Sequence, residues 1–232
     1  MKTQELYLKR ELRFPLLALL FASMAGGGLV GLRIVWTKDW SYLFLIWNLF
    51  LAWLPLVFAL GVCRQYQRGK RAGWKLGSLA ALWLLFLPNA PYIFTDLVHL
   101  NNWFRHHYWV DLSLILLFAF TGFLLGFISL YLMQSVVANR FGKWASWFFI
   151  LVAAGLSGIG TYMGRFLRLN SWDVVCNPFK IFKGLGHWAA DPLANPTSIG
   201  FPILFATFLF LGYLMLYALT HLQPAQRQDV IT

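Results

Sequence analysis

The chain has 232 residues, of which 59% are hydrophobic and only 12% are charged, with a mean hydropathy of +0.63. Soluble domains carry about 25% charged residues, so this composition excludes an ordinary soluble domain. The net charge of +11 would suit a nucleic-acid partner, but no recognition module accompanies it. We therefore expect no nucleic-acid binding, and the length is best divided into membrane spans.

Six apolar runs are long enough to cross a bilayer as helices, which takes about 20 residues. They predict an all-α, polytopic transmembrane helical bundle that forms a single domain over residues 1–232. The first run follows basic residues as a secretory signal does, but its greater length favours an uncleaved helix. The predicted spans are Phe14–Leu32, Tyr42–Val62, Leu76–Phe94, Val110–Met133, Trp147–Met163 and Ile199–Leu219.

The basic residues are unevenly distributed between the two sides of this bundle. Twelve of the 19 Lys and Arg residues lie on the side that holds both termini, and seven lie on the other. The positive-inside rule therefore predicts that both termini are cytoplasmic. On this topology Cys63 and Cys176 lie across the bilayer from each other, so we expect two free thiols.

Two pairs of glycines stand four residues apart within the predicted spans. They are Gly27 with Gly31 and Gly160 with Gly164. Small residues at this spacing let neighbouring transmembrane helices approach closely. They predict packing seams within the bundle, and a dimer interface is the weaker alternative.

A first polar segment, residues 88–99, interrupts the end of the third span, and we call it the first motif. Pro88 and Pro91 lack a backbone N–H and break the helical hydrogen-bond ladder. The freed carbonyls need donors, which Asn89 or Thr95 could supply at membrane depth. The segment is interpreted either as a proline kink with local polar repair or as a broken helix open to a cavity.

Asp96 and His99 are three residues apart, so they share a face if the helix continues. Three interpretations stay open for them: interfacial polar residues, an acid–base or ligand-binding pair, and two metal ligands. His106, His107 and Asp111 stand nearby on the same side. A single Asp-x-x-His is a weak metal signature, so we expect no metal and no other cofactor.

A second polar segment, residues 164–173, ends the fifth span, and we call it the second motif. Arg165 and Arg168 would form a two-guanidinium fork on one helical face, suited to a carboxylate or a phosphate. In the alternative interpretation, the two side chains extend to the membrane interface and keep their charges in water. Arginines are, however, less common in the loops of the translocated side than in cytoplasmic loops, which favours a paired role. Their candidate partners are Asp96 and Asp173, or an external anionic headgroup.

The two motifs together resemble the bacterial domain-of-unknown-function family 1361. This resemblance extends over nearly the whole chain and implies a multi-pass protein of the bacterial plasma (inner) membrane. It transfers no catalytic residues, because the family has none assigned. The residues that carry it are Leu87-Pro88-Asn89-Ala90-Pro91-Tyr92, Thr95-Asp96 and His99, with Gly164-Arg165-Phe166 and Arg168-x-Asn170-Ser171-Trp172-Asp173.

Two functional hypotheses follow. The favoured one is an outward-facing polar pocket that binds or moves an anionic lipid or small metabolite, with membrane lipids as partners. The alternative is an enzyme acting on a lipid-linked substrate at the outer leaflet, with Asp96 and His99 as acid–base or metal-binding groups. The candidate ligand-binding residues are Asn89, Tyr92, Asp96, His99, Arg165, Arg168, Asn170 and Asp173, with Trp103 and Trp172 as further walls.

Overall fold

The computed structural model describes residues 2–69, 73–100, 107–171, 173–180, 183–184, 186 and 196–220. These residues form helices and short connections and contain no strand. Six helices are long and apolar enough to cross a membrane. The predicted all-α bundle of six spans is therefore confirmed.

The helices of the described residues extend beyond most of the predicted apolar runs, because helices continue into polar flanks that hydropathy does not count. For example, the fourth span is 34 residues long, whereas its apolar run is Val110–Met133. In chain order the elements are α1 Lys2–Thr37, α2 Leu43–Gln67, α3 Trp74–Phe86, α4 Asn89–Tyr92, a 3-10 helix Ile93–His99, α5 Tyr108–Phe141, α6 Lys143–Phe166, α7 Asp173–Cys176 and α8 Pro196–Thr220.

The helix α5 lies at the centre of the bundle. It packs against α1, α2, α4, the 3-10 helix, α6 and α8, while α6 and α8 form a further extensive pair. Large apolar side chains of α2 and α5, such as Leu45, Leu56, Ile115 and Phe118, are almost fully buried there. The most buried part of the bundle is thus the α2–α5 interface, against which the first motif also packs.

Both motifs lie at the same end of the bundle, which we call the motif end. It also holds the α1–α2 connection, whereas the α2–α3 and α5–α6 connections lie at the opposite end. Cys63 is buried in α2, Cys176 is exposed at the motif end, and both are free, as predicted. The cytoplasmic location of the termini stays a prediction.

The glycine seam predicted at Gly27 and Gly31 is not formed among the residues that the structure describes. A Cβ atom added at either glycine would meet nothing within 4 Å. At these two positions, no described helix packs closely against α1. Gly26 beside them does face the bundle, because a Cβ there would lie 2.9 Å from the Phe118 ring.

Candidate functional site

The first motif is a true break in the third span. The helix α3 ends at Phe86, and the Ala90 N–H donates to the Leu87 carbonyl in a tighter turn. The Phe86 carbonyl, left without its helical donor, accepts a 2.9 Å hydrogen bond from the Asn89 side-chain amide. Thr95 donates in the same way to the Tyr92 carbonyl at 2.7 Å. The predicted polar repair is confirmed for Asn89, whereas Thr95 bonds the Tyr92 carbonyl, which neither proline leaves free. Pro88, Asn89 and Tyr92 also line a cavity, so the break has features of both interpretations.

Two pairs of glycines hold this broken segment from opposite sides. On α5, a Cβ at Gly126 would lie 2.7 Å from the Ala90 methyl, and one at Gly122 would lie 3.0 Å from the Ala90 carbonyl oxygen. On α6, a Cβ at Gly160 would lie 2.9 Å from Cβ of Pro88. Gly164 similarly accommodates the ring of Tyr92, with 3.2 Å to a Cβ built there. The seam predicted at Gly160 and Gly164 is confirmed, and its partner is the first motif.

The second motif covers the break in α3 directly. The Ser171 hydroxyl donates to the Leu85 carbonyl at 3.1 Å and lies 3.1 Å from the Asn89 amide nitrogen, from which it accepts. A continuous helix would satisfy the Leu85 carbonyl with the N–H of Asn89. A serine of the second motif therefore bonds both a carbonyl and the Asn89 amide at the break in the first, which joins the two motifs into one unit.

Asp96 is the buried charge of this unit, with 2% of its surface exposed. Its Oδ2 accepts a 2.8 Å hydrogen bond from the Asn48 amide of α2. Its Oδ1 lies 3.7 Å from Nη1 of Arg165 and 3.9 Å from Nε2 of His99. Those two distances exceed hydrogen-bond length, so these contacts are electrostatic. Asp96, His99 and Arg165 are thus brought together, as the sequence predicted.

His99 follows Asp96 on the same face because residues three apart eclipse each other in a 3-10 helix. Its side chain is about half exposed, and its ring packs 5.0 Å from that of Phe44. Among the described residues, no group of three or more His, Cys, Asp or Glu could hold a metal ion. His106 lies outside the described residues.

The predicted fork of Arg165 and Arg168 does not form. The helix α6 ends at Phe166, and Arg168 has a left-handed φ of 52°, so the two arginines do not share a helical face. Arg168 is exposed, and its carbonyl accepts a 2.9 Å hydrogen bond from Lys180. A left-handed residue just after a helix commonly ends it.

Asp173 stabilises the turn of the second motif instead of pairing with an arginine. Its carboxylate accepts a 2.8 Å hydrogen bond from the Asn170 backbone N–H and lies 3.3 Å from the Lys180 ammonium. The Asn170 hydrogen bond, with a smaller contribution from Lys180, holds the pKa of Asp173 below its ordinary value. The predicted link of Asp173 to the arginines is therefore wrong.

A cavity of about 270 Å³ lies between α2 and the two motifs. Three of the predicted residues line it, namely Asn89, Tyr92 and Asn170, and Asn48 connects it to Asp96. The other five predicted residues do not line it, namely Asp96, His99, Arg165, Arg168 and Asp173. Trp103 and Trp172 lie outside the described residues. The lining residues are Trp47, Asn48, Leu51, Leu85, Pro88, Asn89, Tyr92, Gly160, Met163, Gly164, Leu169, Asn170 and Ser171.

Sequence reasoning missed Asn48 and Arg33. Asn48 is a polar residue inside the apolar second span, and such residues usually serve a site. Arg33 is one of the basic residues on which the topology prediction rests, but it lies in α1 and is 4% exposed. Its Nε lies 2.6 Å from Oδ1 of Asp111 on α5, and its Nη2 lies 3.2 Å from Oδ2. This pair, buried on both sides, anchors α1 to α5.

A sequence model described as "Protein of unknown function (DUF1361)" matches residues 47–214. The chain belongs to the DUF1361 family. The match includes both motifs and leaves α1 outside. No curated protein and no solved structure matches the chain. Family membership and six spans identify an integral, multi-pass membrane protein.

Proposed function

We propose that this DUF1361 protein binds an anionic headgroup, from a lipid or a small metabolite, where its two motifs meet. The observation that carries the proposal is the state of Arg165. Its side chain is 21% exposed, and its described carboxylate neighbour, Asp96, lies 3.7 Å away. A guanidinium has five N–H donors in a fork that fits phosphate and carboxylate. Arg165 therefore retains donors for an incoming anion.

Asp96 supports this role as a counter-charge. An arginine at membrane depth without a compensating charge is costly. The Asn48 amide fixes Asp96 by its Oδ2 and leaves Oδ1 facing Arg165. The carboxylate can thus balance the positive charge of Arg165 without a hydrogen bond to it. An anionic ligand can therefore bind the guanidinium without breaking a hydrogen bond between Arg165 and Asp96.

Replacing Arg165 with alanine is expected to remove a bound anionic lipid or metabolite from the purified protein. Hydrogen bonds to charged groups contribute about 1.5–3 kcal/mol, which corresponds to a roughly tenfold or greater loss of affinity. Native mass spectrometry of the protein in mild detergent measures what remains bound. Arg168→Ala is the matched control, because Arg168 is an exposed arginine of the same motif that, unlike Arg165, forms no ion pair with Asp96. Equal loss in both variants would contradict the proposal.

A second candidate is an enzyme that acts on a lipid-linked substrate. It is favoured by the half-exposed His99, whose Nε2 lies 3.9 Å from the buried Asp96. A carboxylate behind a histidine can orient the ring for proton transfer. If His99→Ala kept the bound lipid but stopped its conversion to a product of different mass, the enzyme would be supported. Binding without any conversion in the wild type favours the first candidate.

We further propose that the motif end faces the outside of a bacterial plasma membrane. The support is the excess of basic residues on the side of the termini. Cys176 is exposed at the motif end and Cys63 is buried, so the natural chain already carries one reporter thiol. A membrane-impermeant maleimide should label right-side-out vesicles and not inverted ones, and Cys176→Ser should abolish the label. Labelling confined to inverted vesicles would reverse the proposed orientation.

A further inference from the structure

We infer that the part of the ligand inside the cavity is uncharged and carries hydroxyl groups, so that the ligand is a hydroxyl-bearing phosphate ester. This inference rests on the proposed function and specifies the class of its ligand. Its basis is the set of hydrogen-bonding groups that the cavity offers: side-chain amides, among them those of Asn48 and Asn89, and a phenol hydroxyl, with no charged side chain in the lining.

The orientation of two asparagine amides is fixed by their neighbours. The Asn48 nitrogen must face the Asp96 carboxylate, because only an N–H can donate to it at 2.8 Å. The Asn89 nitrogen must likewise face the Phe86 carbonyl at 2.9 Å. The Asn89 nitrogen uses both of its N–H groups, on the Phe86 carbonyl and the Ser171 hydroxyl, so its oxygen remains for a ligand. The Asn48 nitrogen uses one N–H on Asp96, so Asn48 keeps its oxygen and one N–H, a pair that suits a hydroxyl group.

Both amide oxygens stay available to a ligand. Neither has a hydrogen-bond partner in the described part of the chain. A buried oxygen without a partner would be inaccessible to a ligand. The buried, unpartnered side-chain atoms of the described residues are Gln65 Oε1, His107 Nδ1 and Ser157 Oγ. The oxygens of Asn48 and Asn89 are not among these atoms, so they are accessible from the cavity. Since both asparagines line the cavity, these oxygens call for hydrogen-bond donors on whatever fills it.

The remaining lining favours a neutral group of modest size. Tyr92 offers a hydroxyl that has no hydrogen-bond partner among the described residues, and Trp47 offers an aromatic ring. The lining contains no charged side chain. A volume of about 270 Å³ is just below the roughly 300–1,000 Å³ typical of small-molecule sites, which suits a headgroup and not a whole lipid. A phosphate inside the cavity would find no positively charged side chain to balance it.

The two halves of the site then define one ligand chemistry. Arg165 would take a phosphate next to the cavity, and the oxygens of Asn48 and Asn89 would take hydroxyls of a short polyol on that phosphate. Such a group occurs in a polyol-headed phospholipid, for example phosphatidylglycerol, and in a soluble polyol phosphate. The lipid and the soluble ester carry the same phosphate and hydroxyl groups. Competition between them therefore decides which of the two is the ligand.

The test compares ligands that carry the same charge but differ in hydroxyl groups. The intact protein is titrated in detergent with phosphatidylglycerol and with phosphatidylmethanol of the same acyl chains, and bound lipid is counted by native mass spectrometry. Neutral hydrogen bonds contribute about 0.5–1.5 kcal/mol each, so two or three of them predict roughly tenfold tighter binding of phosphatidylglycerol. Glycerol 1-phosphate and methyl phosphate serve as soluble competitors. Displacement by glycerol 1-phosphate alone would identify a metabolite as the source, and resistance to both would identify the lipid.

A pair of tyrosine variants tests the cavity itself. Tyr92→Phe removes one hydroxyl and keeps the ring against Gly164, so it should reduce the preference for phosphatidylglycerol several-fold. Tyr131→Phe, in α5 and outside the cavity lining, should leave the preference unchanged. Equal affinity for both lipids, with binding still dependent on Arg165, would overturn this inference and spare the proposed function. Failure of both lipids and both soluble esters to bind would overturn both.

Discussion

Replacing Asp111 with alanine is expected to lower the free energy of unfolding by about 3–5 kcal/mol. Asp111 and Arg33 are 3% and 4% exposed, and two hydrogen bonds of 2.6 and 3.2 Å join them. The variant leaves a buried guanidinium without its main counter-charge. Because the pair fastens α1 to α5, we expect α1 to detach first. Unfolding in a titration with sodium dodecyl sulfate, followed by tryptophan fluorescence, measures the loss.

Asp39 provides the matched control for this prediction. It also contacts Arg33, at 3.4 Å, but its side chain is 39% exposed. Hydrogen bonds from Ser41 are the main cause that holds the pKa of Asp39 below its ordinary value, so its partnership with Arg33 is secondary. Exposed ion pairs contribute about 0–1 kcal/mol, and Asp39→Ala should cost no more than that. Equal effects of the two alanine variants would show that the α1–α5 pair is not a buried anchor.

A double variant separates the loss of the pair from the isolation of one charge. Arg33→Met with Asp111→Leu replaces both charges by apolar side chains of similar volume. Such replacements of buried pairs are often neutral or stabilising. The double variant should therefore be more stable than Asp111→Ala alone. If it were less stable, the guanidinium would be contributing through its contact with the Tyr42 ring, 3.9 Å away, more than through its charge.

Replacing Gly160 with alanine is expected to destabilise the bundle by about 1–3 kcal/mol, the usual cost of overpacking. The added methyl would lie 2.9 Å from Cβ of Pro88 and closer still to its ring, and it has no flexible side chain to displace. Pro88 and Asn89 line the cavity, so their shift should also reduce retention of a bound headgroup. The same detergent titration and mass measurement report both effects.

Gly155 on the same helix is the matched control for Gly160. A Cβ added at Gly155 would meet nothing within 4 Å. Alanine favours a helix over glycine by about 1 kcal/mol, so Gly155→Ala should be neutral or slightly stabilising. If Gly160→Ala behaved like Gly155→Ala, the close packing of α6 on the first motif would be contradicted.

Hydropathy predicted the number and kind of spans because each one is a continuous apolar run. The polar interruptions then indicated where the third span breaks, and the proline chemistry correctly predicted that Asn89 would supply a donor there. The same-side prediction for the two motifs followed from counting spans. The contact of Ser171 with the Leu85 carbonyl could not be predicted, because it depends on the path of the chain after α6.

The remaining misses have local physical causes. The three-residue spacing of Arg165 and Arg168 predicts a shared face only if the helix continues through both residues. The helix ends before Arg168, which has a left-handed φ of 52°. Arg33 and Asp111 are 78 residues apart and stand near predicted span ends, where charges usually face water. Their pairing arises from α1 packing on α5. Asn48 is a polar residue in an apolar span, which indicates a functional or structural role. The sequence does not, however, predict that its partner is Asp96.

Binding of phosphatidylglycerol to Asp96→Asn and Arg165→Ala tests the central claim that Arg165 holds an anionic ligand while Asp96 is its internal counter-charge. Asparagine at position 96 keeps an acceptor oxygen for Asn48 and removes the negative charge facing Arg165. The two variants should therefore move affinity in opposite directions, with Asp96→Asn several-fold tighter and Arg165→Ala roughly tenfold weaker than the wild type. Equal weakening in both would contradict the claim and leave the pair as a structural ion pair only.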